Sequence, residues 1–159
     1  MTEISDQEVK KIIIYTDGAC SGNPGAGGWA CSIEIEGEER KILSGASPET
    51  TNNKMELKAC IEALVAISQF DKADVTVFTD STYVRDGMMF HMDGWCRKRW
   101  KGSNGKEIKN LPMWKAMYAL SRKHSINWEH VDAHSGIAGN EEVDSIARAE
   151  IKKYKGRSY

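Results

Sequence analysis

The chain has 159 residues, of which 40% are apolar and 28% are charged, and its formal net charge at pH 7 is −1. A chain of this length buries roughly two-thirds of its unfolded surface on folding, so its core needs neither disulfides nor a structural metal. The near-neutral charge does not by itself indicate a nucleic-acid partner.

The sequence also lacks the marks of a membrane or secreted protein. No apolar run approaches the roughly 20 residues that cross a bilayer, and the first residues lack the basic and apolar regions of a signal peptide. We therefore expect a monomeric cytoplasmic protein without a membrane partner. It should form one domain over residues 1–159 with an ordered core over about 10–152.

The predicted elements begin with three strands. Residues 11–17 form a continuous apolar run, which is typical of a strand covered on both faces. From residue 29 apolar and polar side chains alternate, which predicts a half-exposed antiparallel strand with Ala30 and Ser32 on its polar face. Residues 40–46 predict the hairpin partner of that strand.

Helices and strands alternate in the rest of the chain. Pro48 and the polar residues after it should end the third strand and cap a helix that continues to about Phe70. A second buried run, residues 74–80, follows that helix, so the sequence predicts a parallel crossover and a mixed sheet. The remaining expected elements are a strand over 126–132 and helices over 81 to about 90, 112–123 and 140 to about 153. Together they predict an α/β domain of about five strands.

The four cysteines are widely spaced along the chain: Cys20, Cys31, Cys60 and Cys96. They have neither the paired short spacing of a zinc site nor the density of a secreted disulfide scaffold. We expect four reduced thiols.

Two aspartates occupy matching positions after buried runs. Asp17 and Asp80 each follow a threonine at the end of a run and precede a turn-forming residue. Alone, either aspartate would more often be a turn or cap residue. Ligand sites in α/β sheets lie beyond the carboxyl ends of parallel strands, however, so the repeated pattern favours one shared crevice.

Two further acids, Glu56 and Asp144, each lie one turn into a predicted helix. Alone, each would suit a first-turn acid that stabilises the helix dipole. Four carboxylates in one crevice would repel one another unless cations neutralised them, and oxygen-only ligands favour Mg²⁺ or Mn²⁺ over zinc. Two Mg²⁺ ions about 3.5–4 Å apart can activate water and stabilise the leaving oxygen of a phosphodiester. The pattern therefore favours a two-metal phosphodiester site.

His134 lies in a Gly- and Ser-rich loop before the predicted helix of Asp144. A neutral imidazole there could move protons near the metals, although a lone loop histidine is more often an incidental polar residue. His130 lies four residues earlier in a predicted strand, so the two histidines do not form a helical metal-binding pair.

The charge of the chain is unevenly distributed. Between Arg85 and Lys115 there are eight basic and three acidic side chains, so this stretch carries +5 and the rest of the chain −6. Such a chain could bind phosphates with its basic stretch and cations with part of its acidic remainder.

Several motifs together resemble ribonuclease H of the bacterial type. They occur in the family's order over nearly the whole chain: TDGACSGNPGAGGW at 16–29, TNNKMEL at 51–57, TDS at 79–81, HSG at 134–136 and GNE at 139–141 before Asp144. The resemblance implies a ribonuclease H-like fold with a five-stranded mixed sheet flanked by helices on both faces. It also implies endonucleolytic hydrolysis of the RNA strand of an RNA–DNA hybrid, leaving 5′-phosphate and 3′-hydroxyl ends.

The resemblance also implies roles for the site residues. The ligands of Mg²⁺, two ions with substrate and Mn²⁺ as an alternative, would be Asp17, Glu56, Asp80 and Asp144. His134 resembles the family's mobile catalytic histidine, which assists proton transfer or product release.

Polar residues near the acids resemble the family's substrate contacts. Asn23, Asn52 and Asn53 would contact hybrid sugars and base edges, and Thr51 would line a pocket for a DNA phosphate. Amide groups suit 2′-hydroxyls in a wide minor groove. The same residues also suit turns and helix caps, and the two roles are compatible.

The basic segment, residues 95–101, resembles the protrusion with which some family members grip the DNA strand. Its cations and aromatic rings suit phosphates, sugars and bases. The substrate-binding residues expected there are Trp95, Arg97, Lys98, Arg99, Trp100 and Lys101. The alternative is a solvated charged loop that the tryptophans anchor to the core.

Three sites depart from the family pattern. Ile137 and Ala138 replace a polar residue and a proline that many relatives carry, Thr82 replaces a common glutamine, and Glu142 replaces a residue that is often basic. None of these changes removes a carboxylate.

Three rival functions can be compared with this hypothesis. A silent hybrid-binding module would need the basic segment but not four acids. A dehalogenase-like phosphatase would carry its nucleophile at position 15, where this chain has Tyr15. An actin-like ATPase would need a second lobe, for which the chain is too short.

Overall fold

The computed structural model describes residues 9–102 and 105–156. The expected domain of residues 1–159 therefore includes three short stretches, 1–8, 103–104 and 157–159, that lie outside the described residues. The centre of the fold is a five-stranded sheet in the order β3-β2-β1-β4-β5. Its strands are β1 (Lys11–Gly22), β2 (Gly25–Ile35), β3 (Lys41–Thr50), β4 (Asp74–Thr79) and β5 (Ser125–His130).

The sheet is mixed, as the sequence predicts. β1, β2 and β3 pair antiparallel, whereas β4 is parallel to both β1 and β5. The helical elements are α1 (Asn52–Ala66), α2 (Thr82–Asp86), a π-helical turn (Gly87–His91), α3 (Met92–Arg97), α4 (Leu111–Ser121) and α5 (Ala138–Gly156). α1 packs on β1 and β2 and against α4, while α5 packs on β1, β2 and β3.

The main core lies between the sheet and α1. Ile14 of β1 and Val77 of β4 are paired neighbours and are almost fully buried, as is Leu57 of α1. Burying an aliphatic side chain of this size stabilises a fold by about 1.5–3 kcal/mol. This core fixes α1 against the two central strands, which positions Glu56.

The opposite face of the sheet is covered by α5, and one prediction was wrong there. Ala30 and Ser32, expected on an exposed face, are 0% and 1% exposed, and Ala30 packs with Val143 and Ala147 of α5. α5 approaches closely, because a Cβ at Gly28 would lie only 2.2 Å from the Ala147 carbonyl oxygen. Helices therefore cover both faces, which confirms the predicted fold class.

Several predicted boundaries were also wrong. β3 continues through Pro48 to Thr50, because β3 is an edge strand and its register with β2 shifts there, where proline is tolerated. α1 ends at Ala66 rather than about residue 70. The helical region after Asp80 extends beyond residue 90 to Arg97, so the basic segment begins inside a helix.

All four cysteines are free thiols, as expected. Burial raises the pKa of Cys31 and of Cys60 to about 12, so both thiols stay protonated at neutral pH. Within residues 9–102 and 105–156, no helix combines the length and apolar character needed to span a membrane.

Candidate active site

Parallel pairing of β1 with β4 brings Asp17 and Asp80 together, although β1 continues beyond Asp17 to Gly22 in its pairing with β2. Thr16 pairs with Thr79 in the last register position of this ladder, so Asp17 and Asp80 are the next residues on adjacent strands. Ser81 caps α2 by accepting a hydrogen bond from the Val84 backbone N–H, 3.1 Å away, so the helix begins two residues after Asp80, and β4 ends at Thr79 just before that aspartate. The expectation that these two aspartates share a crevice is therefore met.

Glu56 reaches the same place from α1. Thr51 caps that helix, since its hydroxyl accepts a hydrogen bond from the Lys54 backbone N–H at 3.2 Å. Gly18 lets the helix approach β1, because a Cβ at Gly18 would lie 2.5 Å from the Glu56 nitrogen. One carboxylate oxygen from each of Asp17, Glu56 and Asp80 falls within 4.8 Å of the others.

Asp144 lies on α5 and lines the same crevice, but it is outside this group of three. Its side chain is within hydrogen-bonding reach of Asp17. Its Oδ2 atom is buried and lies 2.8 Å from Nη2 of Arg148, but the pair lacks hydrogen-bond geometry and is a close ion pair only. The structure thus brings all four predicted acids to one crevice, three of them in a tight cluster.

Burial and mutual repulsion shift Asp17, Glu56 and Asp80 toward their protonated forms. Burial, with the charges of Asp80 and Asp144, raises the pKa of Asp17 to about 8. Burial and the charge of Asp17 raise the pKa of Glu56 well above its usual value, and burial raises the pKa of Asp80. Carboxyls that are hard to ionise together indicate a site that a bound cation would stabilise.

The acids open into a crevice of about 430 Å³. Besides the four acids, its lining residues are Gly18, Ala19, Cys20, Asn52, Asn53, Ser81, Thr82, Tyr83, Ala133 and His134. The lining is mostly polar, and its oxygen donors suit a hard divalent cation rather than zinc.

His134 stands at the rim of this crevice in the turn between β5 and α5. Its backbone is left-handed, with φ of 58°, and its side chain is 69% exposed. Its Nδ1 atom lies 4.0 Å from Oε1 of Glu141. The exposure leaves the imidazole free to approach a substrate, which the predicted role requires.

Two residues near the site were missed by sequence reasoning. Glu141 faces His134 and also accepts a long hydrogen bond, 3.5 Å, from the Gly136 backbone N–H, so it braces the turn. His130 lies with Nε2 at 3.2 Å from the Asp80 carbonyl oxygen, which holds the end of β4. The contact of His130 with Asp80 could have been predicted from the pairing of Thr79 with His130, but that pairing is known only when the order of the strands in the sheet is known.

The predicted substrate-binding amides lie beside the acids. Asn52 and Asn53 line the crevice at the start of α1. Asn23, in the β1–β2 turn, accepts a hydrogen bond from the Asn52 backbone N–H at 3.1 Å, so it ties the turn to the helix. The capping role left open for Thr51 is observed, because its hydroxyl accepts the Lys54 backbone N–H at the start of the same helix.

The basic segment is anchored by its aromatic rings. Trp95 packs on Trp114 with ring centroids 5.1 Å apart, and Trp100 contacts Tyr118 edge-on at 5.6 Å. The cations of the segment are all exposed: Arg97, Lys98, Arg99 and Lys101. Anchored rings with exposed cations form a fixed positive surface.

A second crevice connects this surface with the acids. It has a volume of about 390 Å³, and Trp95 lines it with Thr82 and Tyr83, which also line the acidic crevice. The Tyr83 hydroxyl accepts hydrogen bonds from the Trp114 and Asn110 side chains, at 3.1 and 3.0 Å. These bonds fix the shared wall.

The mixed sheet, the helices on both faces and the four acids gathered at the end of the parallel β1–β4 ladder define the ribonuclease H-like class of α/β folds. A family model described as RNase H matches residues 9–152. The chain therefore belongs to the ribonuclease H family, a family of nucleases, as the sequence motifs predict.

Named relatives and solved structures agree with this assignment. The chain is 46% identical over 146 residues to ribonuclease H of Hyphomonas neptunium, with 92% of this chain and 95% of that protein covered. It is 44% identical over 146 residues to ribonuclease H of Maricaulis maris, with 92% and 97% covered. The crystal structure of LC9-RNase H1, a type 1 RNase H with the type 2 active-site motif, is 29% identical and matches with a TM-score of 0.81 over 92% of this chain and 74% of that one.

Proposed function

We propose that this ribonuclease H hydrolyses the RNA strand of an RNA–DNA hybrid with two Mg²⁺ ions, leaving 5′-phosphate and 3′-hydroxyl ends. The observation that carries the proposal is the cluster of Asp17, Glu56 and Asp80, with one oxygen of each within 4.8 Å of the others and Asp144 lining the same crevice. The hybrid substrate follows from the family. The solved structure of LC11-RNase H1, similar in fold with a TM-score of 0.69 and 24% identity, is a complex with an RNA/DNA hybrid.

The residues present fit divalent cations. Oε1 of Glu56 and Oδ2 of Asp144 are buried and have no hydrogen-bond partner among the described residues. Such atoms are costly to leave unpaired, and a cation would satisfy them. We propose that Asp17, Glu56, Asp80 and Asp144 hold the ions, with Mn²⁺ as a substitute for Mg²⁺.

When bound, the two ions would supply an activated water and a stabilised leaving oxygen. The protein's own residues hold the ions and the substrate in position and move protons. Asp17, Glu56 and Asp80, whose pKa values burial raises, would give up protons in exchange for a bound cation, while the sheet and α1 keep these three carboxyls in position. His134 takes up or delivers a proton at its exposed imidazole, and Glu141 holds its loop.

Different surfaces beside the crevice would contact the two strands of the hybrid. Asn23, Asn52 and Asn53 would contact the RNA-side sugars and base edges, with Thr51 near a DNA phosphate. The basic segment would bind the DNA backbone with its exposed cations. We further propose that the protein acts as a monomer in the cytoplasm, where its four free thiols remain reduced.

One experiment tests the proposal directly. The protein is incubated with a strand-labelled RNA–DNA hybrid, with duplex DNA and with duplex RNA, each with Mg²⁺ and with chelator. We expect cleavage of hybrid RNA only, lost with chelator and in the Asp17→Asn variant. Equal cutting of duplex DNA would overturn the substrate, and full activity in chelator would overturn the metal mechanism.

A further inference from the structure

One arginine contacts the acidic crevice. Arg148 lies four residues after Asp144 on α5, one helical turn along the same face, and its Nη2 atom is 2.8 Å from Asp144 Oδ2. In the described part of the chain, no other Lys or Arg nitrogen lies within 4.0 Å of any of the four carboxylates. The cluster therefore has a single neighbouring cation, and that cation is on its Asp144 side.

The two partners differ in exposure. The Asp144 side chain is 16% exposed and faces the crevice, whereas the Arg148 side chain is 63% exposed. The guanidinium can thus move into solvent at a small cost in free energy. The Asp144 carboxylate stays in the crevice beside Asp17. The absence of hydrogen-bond geometry in this pair also makes the contact easy to break.

We propose that Arg148 is an internal counter-ion that occupies Asp144 until a divalent cation displaces it. This inference rests on the proposed function. In the metal-free protein the guanidinium neutralises Asp144, one of the four acids that line the crevice. Metal loading on the Asp144 side then competes with Arg148, so Arg148 weakens metal binding and acts as a positioning residue, not a catalytic one.

An ordinary ion pair on the same helix provides the comparison. Arg40, just before β3, contacts both carboxylate oxygens of Glu142, with the second contact at 3.0 Å. That pair joins the β2–β3 hairpin to α5 near Asp144, but it lies on the exposed surface and does not line the acidic crevice. Arg40→Gln therefore removes one positive charge near α5 without removing a competitor from the metal site.

The test measures binding of Mn²⁺ alone by isothermal titration calorimetry at constant ionic strength. The proteins are the wild type, Arg148→Gln, Arg148→Lys, Arg40→Gln, Asp144→Asn and the double variant of positions 144 and 148. We expect Arg148→Gln to tighten Mn²⁺ binding about two- to fivefold, as the loss of one partly exposed ion pair predicts. Arg148→Lys should restore most of the wild-type affinity, and Arg40→Gln should leave it unchanged.

The double variant distinguishes competition at Asp144 from a general loss of charge. In the Asp144→Asn background the carboxylate is gone, so replacing Arg148 should no longer change the Mn²⁺ affinity. The inference is overturned if Arg148→Gln leaves Mn²⁺ binding unchanged or weaker, or if its effect is as large in the Asp144→Asn background. A wild type that binds no Mn²⁺ would instead overturn the proposed metal mechanism, and this inference with it.

Discussion

Gly18 lies directly against the backbone at the first turn of α1, so that Glu56 meets the strand that carries Asp17. A Cβ at Gly18 would lie 2.5 Å from the Glu56 nitrogen and 2.4 Å from the Met55 carbonyl carbon. Both clashing atoms belong to backbone, so no side-chain rotation can relieve them. Gly18, which the sequence suggested as a turn former, lies within β1 and pairs with Trp29, and it is a spacer that sets the distance between two proposed ligands.

This contact makes Gly18→Ala an informative substitution. We expect it to destabilise the fold by about 1–3 kcal/mol, because overpacking forces backbone to shift. It should also weaken Mn²⁺ binding, since the shift moves Glu56 away from Asp17. Urea unfolding and calorimetric titration measure the two effects.

Gly94→Ala is the matched control for that substitution. Gly94 lies in α3, and nothing lies within 4 Å of a Cβ built there. Alanine favours a helix interior over glycine by about 0.5–1 kcal/mol, so this variant should be as stable as the wild type or slightly more so. If Gly18→Ala behaved like Gly94→Ala, the spacer role of Gly18 would be wrong.

Much of the fold could be predicted from local signals. The two buried runs that end in Thr-Asp indicate parallel neighbours, and the polar cap before α1 indicates where Glu56 begins its helix. These signals suffice because strand pattern and capping are local properties. From these signals alone, three acids are predicted to lie together at the carboxyl ends of the parallel strands, without any knowledge of distant contacts.

The remaining features depend on contacts between segments that are far apart in the sequence. Ala30 and Ser32 are buried because α5, more than a hundred residues later, covers their face of the sheet. Pro48 remains in β3 because that strand is at the edge of the sheet, which a strand's own sequence does not reveal. The i,i+4 spacing of Asp144 and Arg148 suits an ion pair on one helix. The position of that pair at the acidic crevice, however, is known only from the folded structure.

The shifted pKa of Asp17 predicts an unusual pH dependence of stability without metal. Its pKa is about 8 in the folded protein against a reference value of 3.8, so the folded state keeps a proton that the unfolded state releases. The free energy of unfolding in chelator should therefore be highest below about pH 4 with respect to this group and should fall as pH rises towards 8. Saturating Mg²⁺ should reverse that loss.

Urea titrations at several pH values, in chelator, measure this dependence. Asp17→Asn removes the titrating group, so its stability should fall less steeply between pH 5 and pH 8 than that of the wild type. Equal slopes for the two proteins would mean that burial of Asp17 does not govern the pH dependence.

Replacing His134 should slow the reaction without removing the metal site. For His134→Ala we expect kcat to fall about 10²-fold, at the lower end of the range for lost proton transfer. Mn²⁺ affinity should be unchanged, because the imidazole is an exposed rim residue and not part of the acid cluster. Glu141→Gln should have a smaller effect, since it acts through the loop of His134. A loss of metal binding in His134→Ala would contradict this division of roles.

The basic segment should determine the salt dependence of hybrid binding. Its four cations, Arg97, Lys98, Arg99 and Lys101, are exposed on a segment whose tryptophans pack against other rings, so each is accessible to a phosphate. Replacing all four by glutamine should weaken binding of a hybrid and flatten the plot of log affinity against log salt by roughly 0.7–0.9 for each phosphate that is no longer neutralised. Hybrid binding is measured by fluorescence anisotropy in chelator, with every variant made in the Asp17→Asn background, so that no cleavage occurs during the titration.

Lys123→Gln provides the control, because Lys123 is exposed but binds the Ser68 carbonyl oxygen away from the crevice. Equal slopes for the fourfold variant and this control would show that the segment is a solvated, anchored loop and not a phosphate-binding surface.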